Sequence, residues 1–353
     1  MKKFILGTKL VNCENNAGAK AGNDVEKIVE KQGYQFVPLY VSKKNRISVG
    51  NILQGIWNTV LFCNGLTAGD YVLIQYPINR FLLKQIFRIL KRKTQLIHII
   101  ILIHDIDYLR DISLGNQGVA AMKKTELELL ANAEYLICHN TAMIKKLQEE
   151  QLNAKFISLE IFDYLYEGPS ATISQDKNEV VVAGNLLEAK AGYLYKLENT
   201  MYKFKLALYG ANLSGNFRYE NARYYGSFLP DELIENMQGA YGLVWDGTSL
   251  ETCDGHYGRY LKLNNPHKVS LYLAAGMPVI VWKESALYPF VESNKVGFGI
   301  ESINELDIAL EKNAILYDEY IENVKKIQKK IRNGAYLEAA LSQIDIALNK
   351  FEE

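Results

Sequence analysis

The stretch Asn265-Pro266-His267-Lys268-Val269-Ser270-Leu271-Tyr272-Leu273-Ala274-Ala275-Gly276-Met277-Pro278-Val279-Ile280-Val281 says more about this chain than any other run of its length. Polar and basic groups open a helix, Gly276 stops it, and a buried strand follows. A helix N-terminus exposes unpaired N–H groups and the positive end of the macrodipole, which suits an anion, most often a phosphate. His267 and Lys268 fall in the first turn. A cation there opposes the dipole and is unfavourable unless an anion is present, so Lys268 is the basic residue to follow. Ser270 can donate to the same phosphate or face the helix, while Leu271, Leu273 and Ala274 read as core.

Working outward, strands and helices alternate on both sides of this stretch. In the first half Phe4–Leu6, Phe36–Leu39, Tyr71–Tyr76, Leu96–Ile103, Tyr135–Cys138 and Lys155–Ile157 read as strands. Helices are expected between them, the first from Asn23 or Asp24 to Gln32 after a polar loop, Asn12 to Gly22. Others cover Asn51–Asn64, Asn79–Lys93, Lys123–Asn132 and Thr141–Gln151. The unbroken apolar run to Ile103 is the signature of a parallel sheet covered on both faces. Asp163 to Asn178, with Gly168-Pro169-Ser170, is the linker candidate. Alternation then restarts at Glu179–Ala183 and continues through Phe204–Tyr209, Gly242–Trp245 and Pro278–Trp282, after which the tail is helical. The expected fold is α/β, with two Rossmann-like domains facing a cleft and a helical C-terminal tail, divided as 1–165, 166–330 and 331–353.

Composition bounds the function. Lys plus Arg and Asp plus Glu are both 40, so nothing draws the whole chain to nucleic acid. Cys13, Cys63, Cys138 and Cys253 are scattered and form no CxxC pair, which argues against a zinc site or a disulfide framework and for a reducing compartment. The opening Met1 to Gly7 lacks the long apolar region of a signal peptide, and no run is long enough to span a bilayer. A cytoplasmic protein is expected.

Several further groups are candidates for chemistry. Gly184-Asn185 directly follows a strand, where a Gly lets backbone approach a phosphate, and Lys190 close behind adds charge. Gly242–Trp245 runs into Asp246, and the long polar stretch from Thr248 to Asn264 holds Asp254, His256, Tyr257 and Arg259, which can reach a sugar or an acceptor. His104-Asp105-Ile106-Asp107 ends the most apolar strand of the first half; it suits a general base, Asp107 or Asp105 first and His104 behind them. Asp105 and Asp107 also spell DxD, a pattern that can hold a metal on a diphosphate, although the two-domain layout argues against that use. Lys20, in the first βα loop, can face an acceptor. Finally, Arg80 to Lys93 is basic and amphipathic, with Arg80, Lys84, Arg88 and Arg92 four apart on one face. It either covers the sheet with a solvated face or rests peripherally on anionic lipid at the inner face of a membrane.

Taken in order, Tyr76-Pro77, His104-Asp105, Gly184-Asn185, Tyr241 to Trp245 and above all Lys268 to Val281 resemble the bacterial GT-B glycosyltransferases related to β-1,6-galactofuranosyltransferases and to the glucosyltransferases that extend glycans on serine-rich adhesins. The resemblance runs to about residue 330. It implies a UDP-sugar donor held by the C-terminal domain, a glycan or glycolipid acceptor held by the N-terminal domain, and no metal or other cofactor. Its phosphate-binding positions fall on Gly184, Asn185 and Lys268. The expectation is a transferase moving a hexose, galactofuranose first and glucose second, with a non-catalytic GT-B subunit as the rival from another class. Self-association into a homo-oligomer is compatible with all three.

Overall fold

A computed structural model describes residues 1–11, 17–43, 49–91, 97–110, 115–198 and 201–349. It falls into two compact units, one of Met1–Leu159 with the C-terminal segment from Leu337, the other of Glu160–Tyr336.

The first unit runs β1 (Lys3–Val11), α1 (Ala17–Glu30), β2 (Tyr34–Lys43), α2 (Val49–Gly65), β3 (Tyr71–Tyr76), α3 (Arg80–Leu90), β4 (His98–Ile103), α4 (Asp107–Arg110), α5 (Gly115–Leu130), β5 (Tyr135–Cys138), α6 (Thr141–Gln148) and β6 (Lys155–Ser158). The sheet order is β2-β1-β3-β4-β5-β6, all parallel. β3 is buried along its whole length and β4 along all but His98, as their apolar runs require when helices cover both faces. Connections leave β1 in opposite directions along the sheet, so the ligand-prone crevice of this unit lies past the carboxyl ends of β1 and β3.

Helix α1 starts at Ala17, well before the expected Asn23 or Asp24. Alternating Ala17, Ala19 and Ala21 offset the poor propensity of Gly18 and Gly22, and Lys20 pairs with Asp24 one turn on. Buried Ala21, Val25, Ile28 and Val29 then supply the inward stripe that holds it. β2 and α5 are also longer than expected. The readings that fall on residues 12–16 and on Arg92 to Leu96 lie outside the described residues.

In the second unit β7 (Thr172–Ile173) precedes β8 (Glu179–Ala183), α7 (Glu188–Ala191), β9 (Lys205–Tyr209), β10 (Ala222–Gly226), α8 (Pro230–Asn236), β11 (Gln238–Gly239), β12 (Tyr241–Val244), α9 (Gly255–Tyr260), α10 (His267–Ala274), β13 (Val279–Trp282), α11 (Tyr288–Asn294), β14 (Gly297–Ile300), α12 (Leu306–Asn313) and α13 (Tyr317–Arg332). Its main sheet is ordered β10-β9-β8-β12-β13-β14, all parallel. This is the doubly wound dinucleotide-binding order, and its switch point lies between β8 and β12.

The stretch expected as a linker is packed into this unit instead. Tyr164 and Tyr166 are buried, Tyr164 donates its hydroxyl to the Pro230 carbonyl at 2.8 Å, and Arg332 lies over the Tyr166 ring. β7 pairs with β11. Two large aromatics seeking burial outweigh the local Gly-Pro-Ser signal. The chain passes between units at Leu159/Glu160 rather than at 165/166, and the tail does not stand apart as 331–353. α13 stays with the second unit, whereas helix α14 (Ala335–Asn349) carries the segment that joins the first, where Asp345 pairs with Lys3 at 3.0 Å.

Candidate functional site

The switch point of the second unit brings together three of the predicted residues. Gly184 directly follows β8, Trp245 and Asp246 directly follow β12, and α10 presents Lys268. The Lys268 ammonium sits 2.7 Å from a carboxylate oxygen of Asp246, and both side chains are largely buried, 15% and 8% exposed. A buried ion pair is costly to assemble and survives only with close geometry, so this pair marks a place built for charge. Gly184 has φ +126°, and a Cβ there would lie 3.3 Å from the Lys268 Cε. Its backbone conformation therefore calls for glycine, and the Lys268 side chain packs against it.

Helix α10 is held at this point by a residue the sequence did not single out. The Tyr272 hydroxyl accepts the Ala183 N–H at 2.8 Å and reaches the Leu243 carbonyl at 3.4 Å, so it ties the ends of β8 and β12 to the helix. Its ring lies where a side chain on Gly242 would have to be. A tyrosine inside an apolar helix face carries no local sign of this role, which depends on two strands distant in sequence. The start of the helix is also fastened on its other side. Ser270 donates to the Phe162 carbonyl at 2.7 Å, Asn265 donates to the Glu160 carbonyl at 3.0 Å, and the His267 ring stacks on Phe162 at 4.5 Å. Ser270 is buried, so its hydroxyl positions the helix.

The stretch from Thr248 to Asn264 is not structureless, since it contains α9. The Asp254 carboxylate accepts the Thr248 and Ser249 N–H groups and the Thr248 hydroxyl. Burial alone would raise this carboxyl, but those hydrogen bonds outweigh it and hold the group below its ordinary range. The Lys190 carbonyl accepts the Gly247 N–H at 2.7 Å, which draws α7 to the loop after β12. The Lys190 ammonium lies 5.2 Å from the centre of the Tyr257 ring, itself beside His256. Asn185 takes the Leu187 N–H and the Asn212 amide on its side-chain oxygen and shapes the turn after Gly184. Arg259 is exposed on α9.

In the first unit the carboxyl end of β4 carries two different arrangements. The first is ionic. Asp107 contacts Arg80 and Arg110, and Asp105 contacts Arg110 at 2.6 Å. Beneath them Glu126, fully buried, accepts the Tyr76 hydroxyl, the Arg80 guanidinium and the Tyr108 N–H. Arg80 is thus turned toward carboxylates and does not share a solvated face with Lys84 and Arg88. The second is a polar chain centred on an amide. Gln75 donates to the Gly22 carbonyl and to Glu26, and its side-chain oxygen meets His104 Nε2 at 2.8 Å. That orientation puts the imidazole proton on Nε2. Burial pulls the ring down to about 4, so His104 is neutral at pH 7. Gln75 was legible as the lone amide in the buried run Tyr71–Tyr76, but its partner was not. Lys20 pairs with Asp24 at 2.7 Å on α1.

Two family models match in succession, the glucosyltransferase 3-like N-terminal domain over residues 5–161 and the glucosyltransferase 3-like C-terminal domain over residues 180–344. The β-1,6-galactofuranosyltransferase WbbI of Escherichia coli K12 is 33% identical over 308 residues, 84% of this chain and 86% of its own. This chain belongs to the glucosyltransferase 3-like family of GT-B glycosyltransferases. Glucosyltransferase 3 of Streptococcus parasanguinis, a more distant member at 24% identity, aligns over 91% of both chains. Anabaena HepE solved with UDP shares the fold, with a TM-score of 0.58, 14% identity, and coverage of 99% of this chain and 100% of its own. The family match resolves what the geometry alone left open. The charged pair at the β8/β12 switch point lies in the C-terminal domain of a glycosyltransferase, and the His104 cluster lies in its N-terminal domain.

Proposed function

We propose that the protein moves a hexose, galactofuranose before glucose, from UDP to a hydroxyl of a growing surface glycan, with no metal. The observation that carries this reading is the Lys268–Asp246 pair beside Gly184 at the switch point of the second unit. As the sugar leaves, negative charge grows on the diphosphate. Lys268 and the N–H groups opening α10 are arranged to meet it, which is electrostatic stabilisation of the departing group. An ammonium has three donors, so Lys268 can keep Asp246 while it bonds a phosphate. Asp105 and Asp107 already face guanidinium groups, which supports taking the charge from Lys268 and not from a metal on the DxD.

For an inverting transfer the acceptor hydroxyl must lose a proton. The two aspartates face Arg80 and Arg110, and His104 stands beside them as a candidate base. It is neutral at pH 7, the state a base requires, and its tautomer is set by Gln75. WbbI, a galactofuranosyltransferase by name, supports the furanose donor. Glucosyltransferase 3 and the HepE complex with UDP-glucose support the second reading, a UDP-glucose donor at the same site.

The test is UDP release with a panel of UDP-sugars in the presence of EDTA. Release with UDP-galactofuranose is expected. Release with UDP-glucose alone would transfer the assignment to the second donor, and activity that EDTA abolishes and magnesium restores would overturn the metal-free mechanism. No release with any sugar, together with no binding of UDP, would overturn the UDP-sugar reading altogether.

A further inference from the structure

Helix α2 is built inside out. Its buried positions Gly55, Thr59 and Cys63 are small or polar, and the Thr59 hydroxyl turns back to the Gly55 carbonyl. At the same four-residue spacing its outer positions hold Leu53, Trp57 and Leu61, which are 62%, 64% and 55% exposed. Residues four apart share a face, so three large apolar side chains form one stripe into solvent. A helix that merely covers a sheet has the opposite pattern. α2 has no charged residue. α3 packs alongside it, and its outer face continues the surface with Phe81, 53% exposed, followed by Lys84 and Arg88. α3 has no acidic residue, and neither Lys84 nor Arg88 is in an ion pair among the described residues.

We propose that the outer face of α2 and α3 is a docking surface for an anionic lipid leaflet. Trp57, Leu53, Leu61 and Phe81 enter the boundary between headgroups and acyl chains, and Lys84 and Arg88 meet lipid phosphates. The composition is that of an interfacial face: an apolar stripe with a tryptophan, flanked by cations alone. Charge also weighs against a second copy of the chain as the occupant. A two-fold interface sets the same patch against itself, and here it would bring basic residues together with no acid between them. An anionic surface instead complements them.

The full chain is tested by flotation with phosphatidylcholine vesicles, with and without phosphatidylglycerol. Each basic residue near such a surface contributes about fivefold, so partition onto the anionic vesicles should be about 30-fold stronger, and Lys84→Glu with Arg88→Glu should remove that difference. Leu53→Gln, Trp57→Gln and Leu61→Gln together should abolish binding to both. These positions are exposed, so folding is expected to survive, and circular dichroism melting checks it. Fluorescence gives a second readout. Trp245 and Trp282 are buried, so a blue shift on adding anionic vesicles reports Trp57 entering the interface. Absence of both flotation and blue shift with a folded chain would overturn the proposal. So would a dimer in sedimentation that the three Gln substitutions dissolve, since it would assign the stripe to a second copy.

Discussion

At the scale of single residues, the proposed donor site predicts separable roles for Lys268 and Asp246. Replacing Lys268 with Ala removes a charge-assisted bond to phosphate and should weaken UDP binding by about 1.5–3 kcal/mol, roughly 10- to 150-fold. Asp246→Asn removes the carboxylate that competes for the ammonium, so it should leave UDP affinity unchanged or raised. Calorimetric titration of both variants checks this, and an equal loss in both would mean that the pair acts only as a structural tie. The variant lacking Lys268 should also melt earlier, because it leaves the Asp246 carboxylate buried alone. His104 has a different signature. Its unfolded imidazole takes a proton near the ordinary value of about 6.5, whereas burial holds the folded ring at about 4. Between these values the unfolded chain binds more protons. The stability that rests on a neutral ring is therefore complete above about pH 6.5 and is lost as pH falls toward 4. His104→Gln does not titrate, so its urea midpoint should fall less steeply than the wild type's between pH 7 and 4. Parallel slopes would show that the ring is not held neutral.

At the scale of elements, periodicity was a good guide where one face decides the matter and a poor one where it does not. β3, β4, β8 and β12 were legible because continuous apolar runs bounded by polar turns leave little choice. The start of α1 was hidden because Gly18 and Gly22 read as loop, and only the buried stripe and the Lys20–Asp24 pair extend the helix through them. The linker reading failed because Tyr164 and Tyr166 find partners on α8 and α13, which no local window contains. The role of α14 was equally hidden. Leu337, Leu341, Ile344 and Leu348 are buried, and Asp345 ties the helix to Lys3 in the first unit. Four such side chains stabilise by about 6–12 kcal/mol as an upper bound, comparable with the net stability of a domain. A chain ending at Tyr336 should therefore lose the first unit while the second stays folded. Limited proteolysis would show this as a resistant fragment covering Glu160–Tyr336, and full resistance of both units would refute the assignment of α14.

At the scale of the whole molecule, two parallel sheets each gather polar side chains past the carboxyl ends of strands, β3 and β4 in one unit and β8 and β12 in the other. The sequence by itself determined the alternation of strands and helices, the doubling of the sheet and the place of Lys268 at a helix start. Apolar period, Gly and Pro stops and a cation at a helix start are all local signals. It also carried enough family pattern to point to a glycosyltransferase. Only the tertiary structure decided which strands are neighbours, and with them the partners of every charged group. Asp246, expected at a sugar, became the counter-charge of Lys268, 22 residues away. Asp105 and Asp107, expected as bases, became ligands of Arg80 and Arg110, and Gln75 became the residue that orients His104. The physical reason is the same in each case. A side chain's solvation and its nearest opposite charge set what it can do, and both come from parts of the chain that meet only when the sheets are assembled.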